Sequence, residues 1–346
     1  MAAFEASEPL KGLDCAFEIQ KPTLGLDLRF HTGYQVTFVK ESSPEDDQVT
    51  IVLKIADKSR PDRPVYMQDR LRAPPVDGPE KVAARIPGKF ALGAGAYRVD
   101  MLLHDRADHY CSSSWDLNAS LSSKYKGVPL SLAEGAVAPL AEDLFLPESR
   151  AHKTEDAPLN VKILANFAPR EKSSAALDPR DTEATTTILR DISRNPRVGT
   201  ISILAFDLYE ERVVFRQSRK EGIDFPALGA ALKSLQPGTV ARNQLLDKQS
   251  SATFLAALLH DEEANEPKPD ALIFVGPKAF VESSPEEFKA QRNLGYPVYY
   301  FNYIDDPQAA PWRDNIGNVT KWLGGRVFSI TGPSDLWNAL TELVRK

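Results

Sequence analysis

The chain has 346 residues, of which 42% are hydrophobic and 26% are charged, a balance typical of globular domains. Its formal net charge of -6 at pH 7 leads us to expect no nucleic-acid partner, because nucleic acids select strongly basic surfaces. No apolar run approaches the roughly 18 residues that a membrane-spanning helix needs, so we expect no direct insertion into a membrane.

The first half of the sequence predicts about seven short strands between Cys15 and Leu117. Apolar and polar side chains alternate through segments such as AYRVDMLLH, and Pro, Gly, Asp and Ser fill the gaps. This pattern is typical of an antiparallel sandwich with one core between two sheets. We therefore predict an N-terminal arm over residues 1–13 and an all-β, immunoglobulin-like sandwich over residues 14–118.

The sequence contains two cysteines, Cys15 and Cys111, in the predicted first and last strands of this sandwich. Two are too few for a cysteine-rich metal site, and they do not form a C-x-x-C pair. First and last strands of a sandwich are often close in space, so a disulfide is one interpretation and two free thiols are the other. A disulfide would place the protein in an oxidising compartment.

The composition and the hydrophobic periodicity of the sequence change after the predicted sandwich. Residues 119–158 are rich in Ser, Lys, Gly, Pro and Glu and predict a linker, whereas residues 159–346 alternate between apolar strand-like runs and helical periods. Alternation of this kind is typical of an α/β domain. We therefore predict a two-domain chain whose second domain is Rossmann-like, with a doubly wound, mostly parallel sheet.

Residues 159–346 resemble a von Willebrand factor type A domain. The resemblance is carried by the order of the segments ILANF, RVGTISILAFDLYEERVVFRQ, FPALGAALKSL, TFLAALL, ALIFVGP, PVYYFNYI and GGRVFSITGPSDLWNALTELV. With a sandwich in front, the arrangement is similar to bacterial proteins called VWFA-related, many of which carry export signals. The resemblance implies an extracytoplasmic location, secreted or periplasmic. The segment MAAFEASEPLKG has no features of an export signal, so the cytoplasm stays as the alternative.

Most members of that family hold a divalent cation with D-x-S-x-S after the first strand, a Thr, and an Asp in T-D-G. Here Asn166, Ala168 and Arg170 occupy the first motif, and FVGP stands where the last would be. Ser251 or Thr253 could supply the middle hydroxyl, but hard cations need carboxylate oxygens. We therefore expect a degenerate site with no metal, and no other cofactor.

Ligands of open α/β sheets collect at the carboxyl ends of the strands. Aromatic residues and arginine, which are enriched in the hot spots of protein interfaces, follow several of the predicted strands. We therefore expect a non-enzymatic protein that binds a protein partner at this edge. The residues expected there are Asn166, Phe167, Arg170, Lys278, Asn302, Tyr303, Asp305, Asp306, Trp312, Arg313 and Thr331.

The alternative is a hydrolase or sugar-binding enzyme that uses Asp305, Asp306 and Arg313 in a cleft between the domains. Paired carboxylates can serve as acid and base in such sites. The sequence contains no G-x-S-x-G, no phosphate-binding P-loop and no G-x-G-x-x-G at a strand-to-helix junction. His104 and His109 could be interpreted as metal ligands, but they flank a predicted hairpin turn, and a solvated turn is the favoured interpretation. We therefore favour binding over catalysis.

Overall fold

The computed structural model of the chain describes residues 13–40, 48–72, 82–106, 109–140, 143–148, 158–170, 177–233, 250–265, 267–279, 294–304 and 314–345. These residues form fifteen strands and five helices. The chain divides into two units, Met1–Leu140 and Ala141–Lys346, and the division lies inside the predicted linker. None of the helices described is both long and apolar enough to cross a membrane.

The predicted fold class is wrong. The structure has 45% strand and 23% helix, so the chain is mainly β. Most strand pairings are antiparallel, and parallel pairing is confined to one mixed sheet in the second unit. We therefore do not assign that unit to the doubly wound von Willebrand type A class. Periodicity in a sequence identifies strands, but it does not identify their pairing partners or the class of the whole chain.

Unit 1 contains two sheets. One has the order β1-β3-β6-β9 with β2 paired to β3, and the other has the order β5-β4-β7-β8. The strands are β1 (Cys15–Ile19), β2 (Thr23–Leu24), β3 (Phe30–Lys40), β4 (Gln48–Asp57), β5 (Val65–Arg72), β6 (Val82–Leu92), β7 (Gly95–His104), β8 (Tyr110–Ala119) and β9 (Val137–Pro139). Strand β9 lies within the predicted linker and pairs with β6.

The alternation read from AYRVDMLLH determines which side of β7 is buried. Tyr97, Val99, Met101 and Leu103 are all fully buried, whereas Arg98 between them is exposed. Successive side chains of a strand point to opposite faces, so the apolar set enters one hydrophobic core shared with the other strands. Burial of this face fixes the register of β7 in the sheet.

A disulfide joins Cys15 on β1 to Cys111 on β8, with the Cα atoms 6.4 Å apart. The two strands belong to different sheets, so the bond links one sheet to the other. The Phe17 and Trp115 rings meet edge to face on the same two strands, with their centroids 6.0 Å apart. Of the two interpretations left open by the sequence, the structure therefore has the bonded one.

Unit 2 contains one six-stranded sheet with the order β12-β11-β10-β13-β14-β15. Its strands are β10 (Leu159–Asn166), β11 (Val198–Asp207), β12 (Arg212–Lys220), β13 (Ala271–Pro277), β14 (Val298–Tyr303) and β15 (Arg326–Ile330), and its helices are α1 (Pro179–Arg194), α2 (Phe225–Lys233), α3 (Ser250–Asn265), α4 (Asn315–Trp322) and α5 (Pro333–Leu343). Only β12 runs antiparallel to its neighbour. The other five strands therefore end at one side of the sheet, which we call the carboxyl edge.

The local sequence explains where helix α1 begins. The Asp178 carboxylate caps the helix by accepting a hydrogen bond from the backbone N–H of Arg180 at 2.8 Å, and Pro179 occupies the first turn. Asp181 is buried inside the helix, where it is available to a partner from the carboxyl edge.

Part of the predicted linker belongs to unit 2. The Glu148 carboxylate binds the guanidinium groups of Arg190 and Arg194 on α1, the second at 2.8 Å. Arg190 also donates to the backbone carbonyls of Leu144 and Leu146. These contacts hold residues 144–148 against α1.

Candidate functional site: the carboxyl edge of the six-stranded sheet

Three of the residues expected to contact a partner are buried. Asn166 is 0% exposed, Phe167 is 3% exposed and Asn302 is 1% exposed. Side chains with so little exposure cannot contact a partner that docks on the surface. These three side chains lie beneath the surface of the carboxyl edge.

Four of the expected residues do reach the surface of the carboxyl edge. Arg170, Lys278 and Tyr303 are partly exposed, and Thr331 is exposed. They follow or end β10, β13, β14 and β15, which are neighbours in the sheet in the order β10-β13-β14-β15. We call these four residues the edge surface.

The remaining expected residues lie outside the described part of the chain. They are Asp305, Asp306, Trp312 and Arg313. The residues of the alternative enzymatic site belong to this group, so that site stays a hypothesis from the sequence.

The Arg170 guanidinium is held by a carboxylate on α1. Its Nε and one Nη atom donate to the two Asp181 carboxylate oxygens at 2.7 and 2.5 Å. The Asp181 side chain is 1% exposed, whereas that of Arg170 is 25% exposed. The Tyr209 hydroxyl donates to the Arg170 carbonyl at 3.3 Å. The sequence indicated Arg170, but not its partner eleven residues away.

Asp207, at the end of β11, makes a turn. Its carboxylate accepts the backbone N–H groups of Tyr209 and Glu210, both at 2.9 Å. Burial raises the pKa of Asp207 despite these hydrogen bonds. The carboxylate therefore starts the loop that returns the chain into β12.

Asp314 caps helix α4 close to the carboxyl edge. Its carboxylate accepts the Gly317 backbone N–H at 3.1 Å. Burial raises the pKa of Asp314 to about 6, although the hydrogen bond from Gly317 and the positive charge of Lys278 oppose the shift. Asp314 was not among the candidate residues from the sequence. The signal was available, because an Asp just before a helical period is a common N-cap.

Tyr300 adds a buried hydroxyl near Asp314. It donates to the Pro277 carbonyl at 3.0 Å, and burial raises its pKa well above 10.0. A phenol with this pKa stays protonated at neutral pH. The hydroxyl therefore acts as a hydrogen-bond donor to the end of β13.

Asn166, Gly276 and Asn302 lie side by side at the ends of β10, β13 and β14. Gly276 pairs with Asn302, and the residues just before Gly276 and Asn166, Val275 and Ala165, pair with each other. Gly276 has φ +138°, and a Cβ there would lie 2.5 Å from the Asn166 carbonyl oxygen. Glycine is therefore required between the two asparagines.

The described residues contain no group of three or more His, Cys, Asp or Glu side chains arranged to hold a metal ion. The carboxylates near the carboxyl edge have other roles: Asp181 binds Arg170, Asp207 forms a turn and Asp314 caps a helix. Asp335 accepts hydrogen bonds from the backbone N–H and the hydroxyl of Thr331 at 3.0 and 2.6 Å. The arrangement presents positively charged side chains and hydrogen-bond donors at the surface, and its carboxylates stabilise the local structure.

Comparison with known proteins adds little. No family model matches the chain, and no curated protein matches it. Among solved structures, a superoxide reductase (neelaredoxin) from Ignicoccus hospitalis is 13% identical with a TM-score of 0.22, and covers 32% of this chain and 82% of its own. A lipoprotein from Bacteroides thetaiotaomicron is 11% identical with a TM-score of 0.19, and covers 35% of this chain and 92% of its own.

Another of the solved structures aligns with more of the chain. A Bacteroides uniformis beta-glucuronidase 2 is 9% identical with a TM-score of 0.22, and covers 89% of this chain and 38% of its own. Likenesses with such low TM-scores carry no argument about fold or function. The proposals below therefore depend on the geometry of the chain itself.

Proposed function

We propose that this chain is a non-enzymatic binding protein and that the edge surface of unit 2 (Arg170, Lys278, Tyr303 and Thr331) binds a protein partner. The observation that carries the proposal is the arrangement of the edge surface. Its four residues come from four neighbouring strands and are all at least partly exposed. Arginine and tyrosine are the residue types that most often dominate the energy of protein interfaces.

The fixed position of Arg170 supports this proposal. A long side chain normally loses conformational entropy when a partner immobilises it. The two hydrogen bonds to buried Asp181 already order the guanidinium. A partner would therefore meet a preformed arginine.

The roles of the acids that the structure describes near the carboxyl edge favour binding over catalysis. General acid–base chemistry needs a titratable group within reach of a substrate. Near the carboxyl edge, Asp181, Asp207 and Asp314 are engaged by Arg170 or by backbone N–H groups. These contacts account for the positions of the three carboxylates, so no catalytic role is needed to explain them.

Site-specific photo-crosslinking tests the proposed function. Benzoylphenylalanine replaces Tyr303 on the edge surface, or Tyr66 on β5 of unit 1, which is 38% exposed. The proposal predicts that a protein from cell extracts is crosslinked at position 303 and not at position 66. The same set of crosslinked proteins at both positions would show that the edge surface is not a specific docking site.

We also propose that the protein works in an oxidising compartment outside the cytoplasm. The disulfide between Cys15 and Cys111 supports this proposal, since cytosolic thiols are normally kept reduced. Alkylation of the protein in freshly lysed cells, followed by mass spectrometry, provides the test. Unmodified, bonded cysteines are expected, and complete alkylation without a reductant would contradict the proposal.

A further inference from the structure

Two buried asparagine side chains flank a glycine at the carboxyl edge. A Cβ on Gly276 would lie 3.3 Å from the Asn166 Cβ, so both positions face the same side of the sheet. Asn302 pairs with Gly276 in the parallel register and faces that side too. We call these three residues the amide row.

The orientation of the Asn166 amide follows from its hydrogen bonds. Its Oδ1 accepts the backbone N–H groups of Ala168 at 3.1 Å and Leu208 at 3.3 Å. Leu208 follows β11, on one side of β10, and Gly276 is on the other side. The Nδ2 group of Asn166 therefore points away from β11, towards Gly276.

Both asparagines present a polar atom without a hydrogen-bond partner. Within the part of the chain that the structure describes, neither Asn166 Nδ2 nor Asn302 Oδ1 has one. The two residues are 0% and 1% exposed, so bulk water does not replace the partner. Buried polar groups usually have a hydrogen-bond partner, so these two atoms are available to a ligand.

We propose that the amide row is a subsite for one uncharged carboxamide group. Asn166 Nδ2 donates to the carbonyl oxygen of that group, and Asn302 Oδ1 accepts from its N–H. The two Cα atoms are roughly 10 Å apart, since two strand spacings of about 4.8 Å separate them. Gly276 contributes no side chain between the two asparagines.

The chemistry of the row favours a neutral group. A carboxylate has no N–H for Asn302 Oδ1, and an ammonium ion has no oxygen for Asn166 Nδ2. An ion would also lose its hydration in a buried row whose own side chains are neutral. A carboxamide supplies one donor and one acceptor, and it can come from a free amide or from a peptide. This inference does not depend on the proposed protein partner.

Nuclear magnetic resonance on the full chain tests the subsite. Acetamide represents a free primary amide, N-methylacetamide a peptide amide and acetate an anion. We expect the side-chain NH₂ signal of Asn166 to shift saturably with acetamide, with N-methylacetamide, or with both, and not with acetate. A shift with the secondary amide identifies a peptide source. No saturable shift with either amide, or an equal shift with acetate, would overturn the proposal.

Two variants complete the test. Asn302→Leu removes the acceptor and should abolish the acetamide response. Ser329→Ala is the control, because Ser329 is exposed and pairs with Asn302 in the register, and it should keep the response. A response that survives Asn302→Leu would contradict the proposal. If Asn302→Leu does not fold, the titrations of the wild-type protein still decide the question.

Discussion

Arg170 and Asp181 form a two-point ion pair at the carboxyl edge, although the Asp181 side chain is only 1% exposed. Such a pair contributes little net stability when formed, but its disruption leaves a buried charge without a partner. The pair positions the one guanidinium that the proposed function assigns to the edge surface. It also accounts for a buried carboxylate in the first turn of α1.

The first prediction concerns this ion pair. Arg170→Met should lower the free energy of unfolding of unit 2 by about 3 kcal/mol, because Asp181 is then left buried and unpaired. The double variant Arg170→Met, Asp181→Leu should recover part of this loss. Chemical denaturation of both variants measures the difference.

A surface pair provides the control for that measurement. Arg326 is 66% exposed in its ion pair with Glu342. Arg326→Met should change the free energy of unfolding by less than about 1 kcal/mol, since exposed pairs are screened by water. Equal effects of Arg170→Met and Arg326→Met would contradict the structural role assigned to Arg170.

The second prediction concerns Lys162, whose ammonium group lies 2.6 Å from Glu262 with both side chains 6% exposed. Glu262→Leu should cost about 3 to 5 kcal/mol because it removes the carboxylate that balances the buried charge of Lys162. Lys162→Met added to Glu262→Leu should cost less than Glu262→Leu alone. A double-mutant cycle by denaturation measures this coupling, and additive losses would show that the two side chains act independently.

The third prediction is a pH dependence. The folded pKa of Asp314 is about 6, above the ordinary value of 3.8, so the folded protein holds this proton more tightly than the unfolded chain does. The part of the free energy of unfolding that protonated Asp314 contributes is fully present below about pH 4 and is lost as pH rises through 6. The shift of about two pKa units corresponds to roughly 3 kcal/mol.

Denaturation at a series of pH values tests this dependence. Asp314→Asn, which keeps a helix-capping side chain, should lack the component of the stability loss between pH 4 and 6 that Asp314 contributes. Asp62→Asn is the control, because Asp62 is 75% exposed in unit 1. Identical pH profiles for wild type and Asp314→Asn would contradict the assignment.

The fourth prediction concerns the disulfide, whose cysteines are 96 residues apart in the sequence. Opening a loop of this length should destabilise unit 1 by roughly 4 kcal/mol. Hydrogen-exchange mass spectrometry after reduction should show faster exchange in peptides from β1 and β8, and unchanged exchange in β10. The unreduced Cys15→Ala, Cys111→Ala variant should match the reduced wild type. Unchanged exchange in β1 and β8 would contradict this account.

Some elements of the fold could be predicted from the sequence because burial leaves a local signal. The apolar run at Leu159–Asn166 predicts a strand buried on both faces, and the last six residues of β10 are buried. Lys162 interrupts that run, and its partner Glu262 is 100 residues away. No local pattern could have identified such a partner.

The predicted class failed because the order of elements does not determine strand pairing. The resemblance drew on the order of segments after Leu159, whereas the structure as a whole is mainly β. Short strands such as β9 lie in a segment whose composition indicated a linker. Pairing with β6 makes residues 137–139 a strand, and this is a non-local effect.

The positions of Asn166 and Asn302 at strand ends could be predicted from the sequence, but their exposure could not. Asn166 and Asn302 end their strands as the sequence indicated, yet both are buried. Periodicity assigns a residue to one face of a sheet, but it does not show what covers that face. An Asp directly before a helical period, such as Asp314, is a common N-cap, but the sequence does not show that its carboxyl is buried.

The central claim is that the edge surface binds a protein partner, and two lysines at opposite ends of β13 test it most directly. Lys278 follows the strand at the carboxyl edge, and exposed Lys268 precedes it at the other end. The measurement is the dissociation constant of the partner captured by crosslinking at position 303, for Lys278→Ala and Lys268→Ala. The account predicts binding at least about tenfold weaker for Lys278→Ala, a loss of about 1.4 kcal/mol, and no change for Lys268→Ala. Equal affinities of the two variants would contradict it.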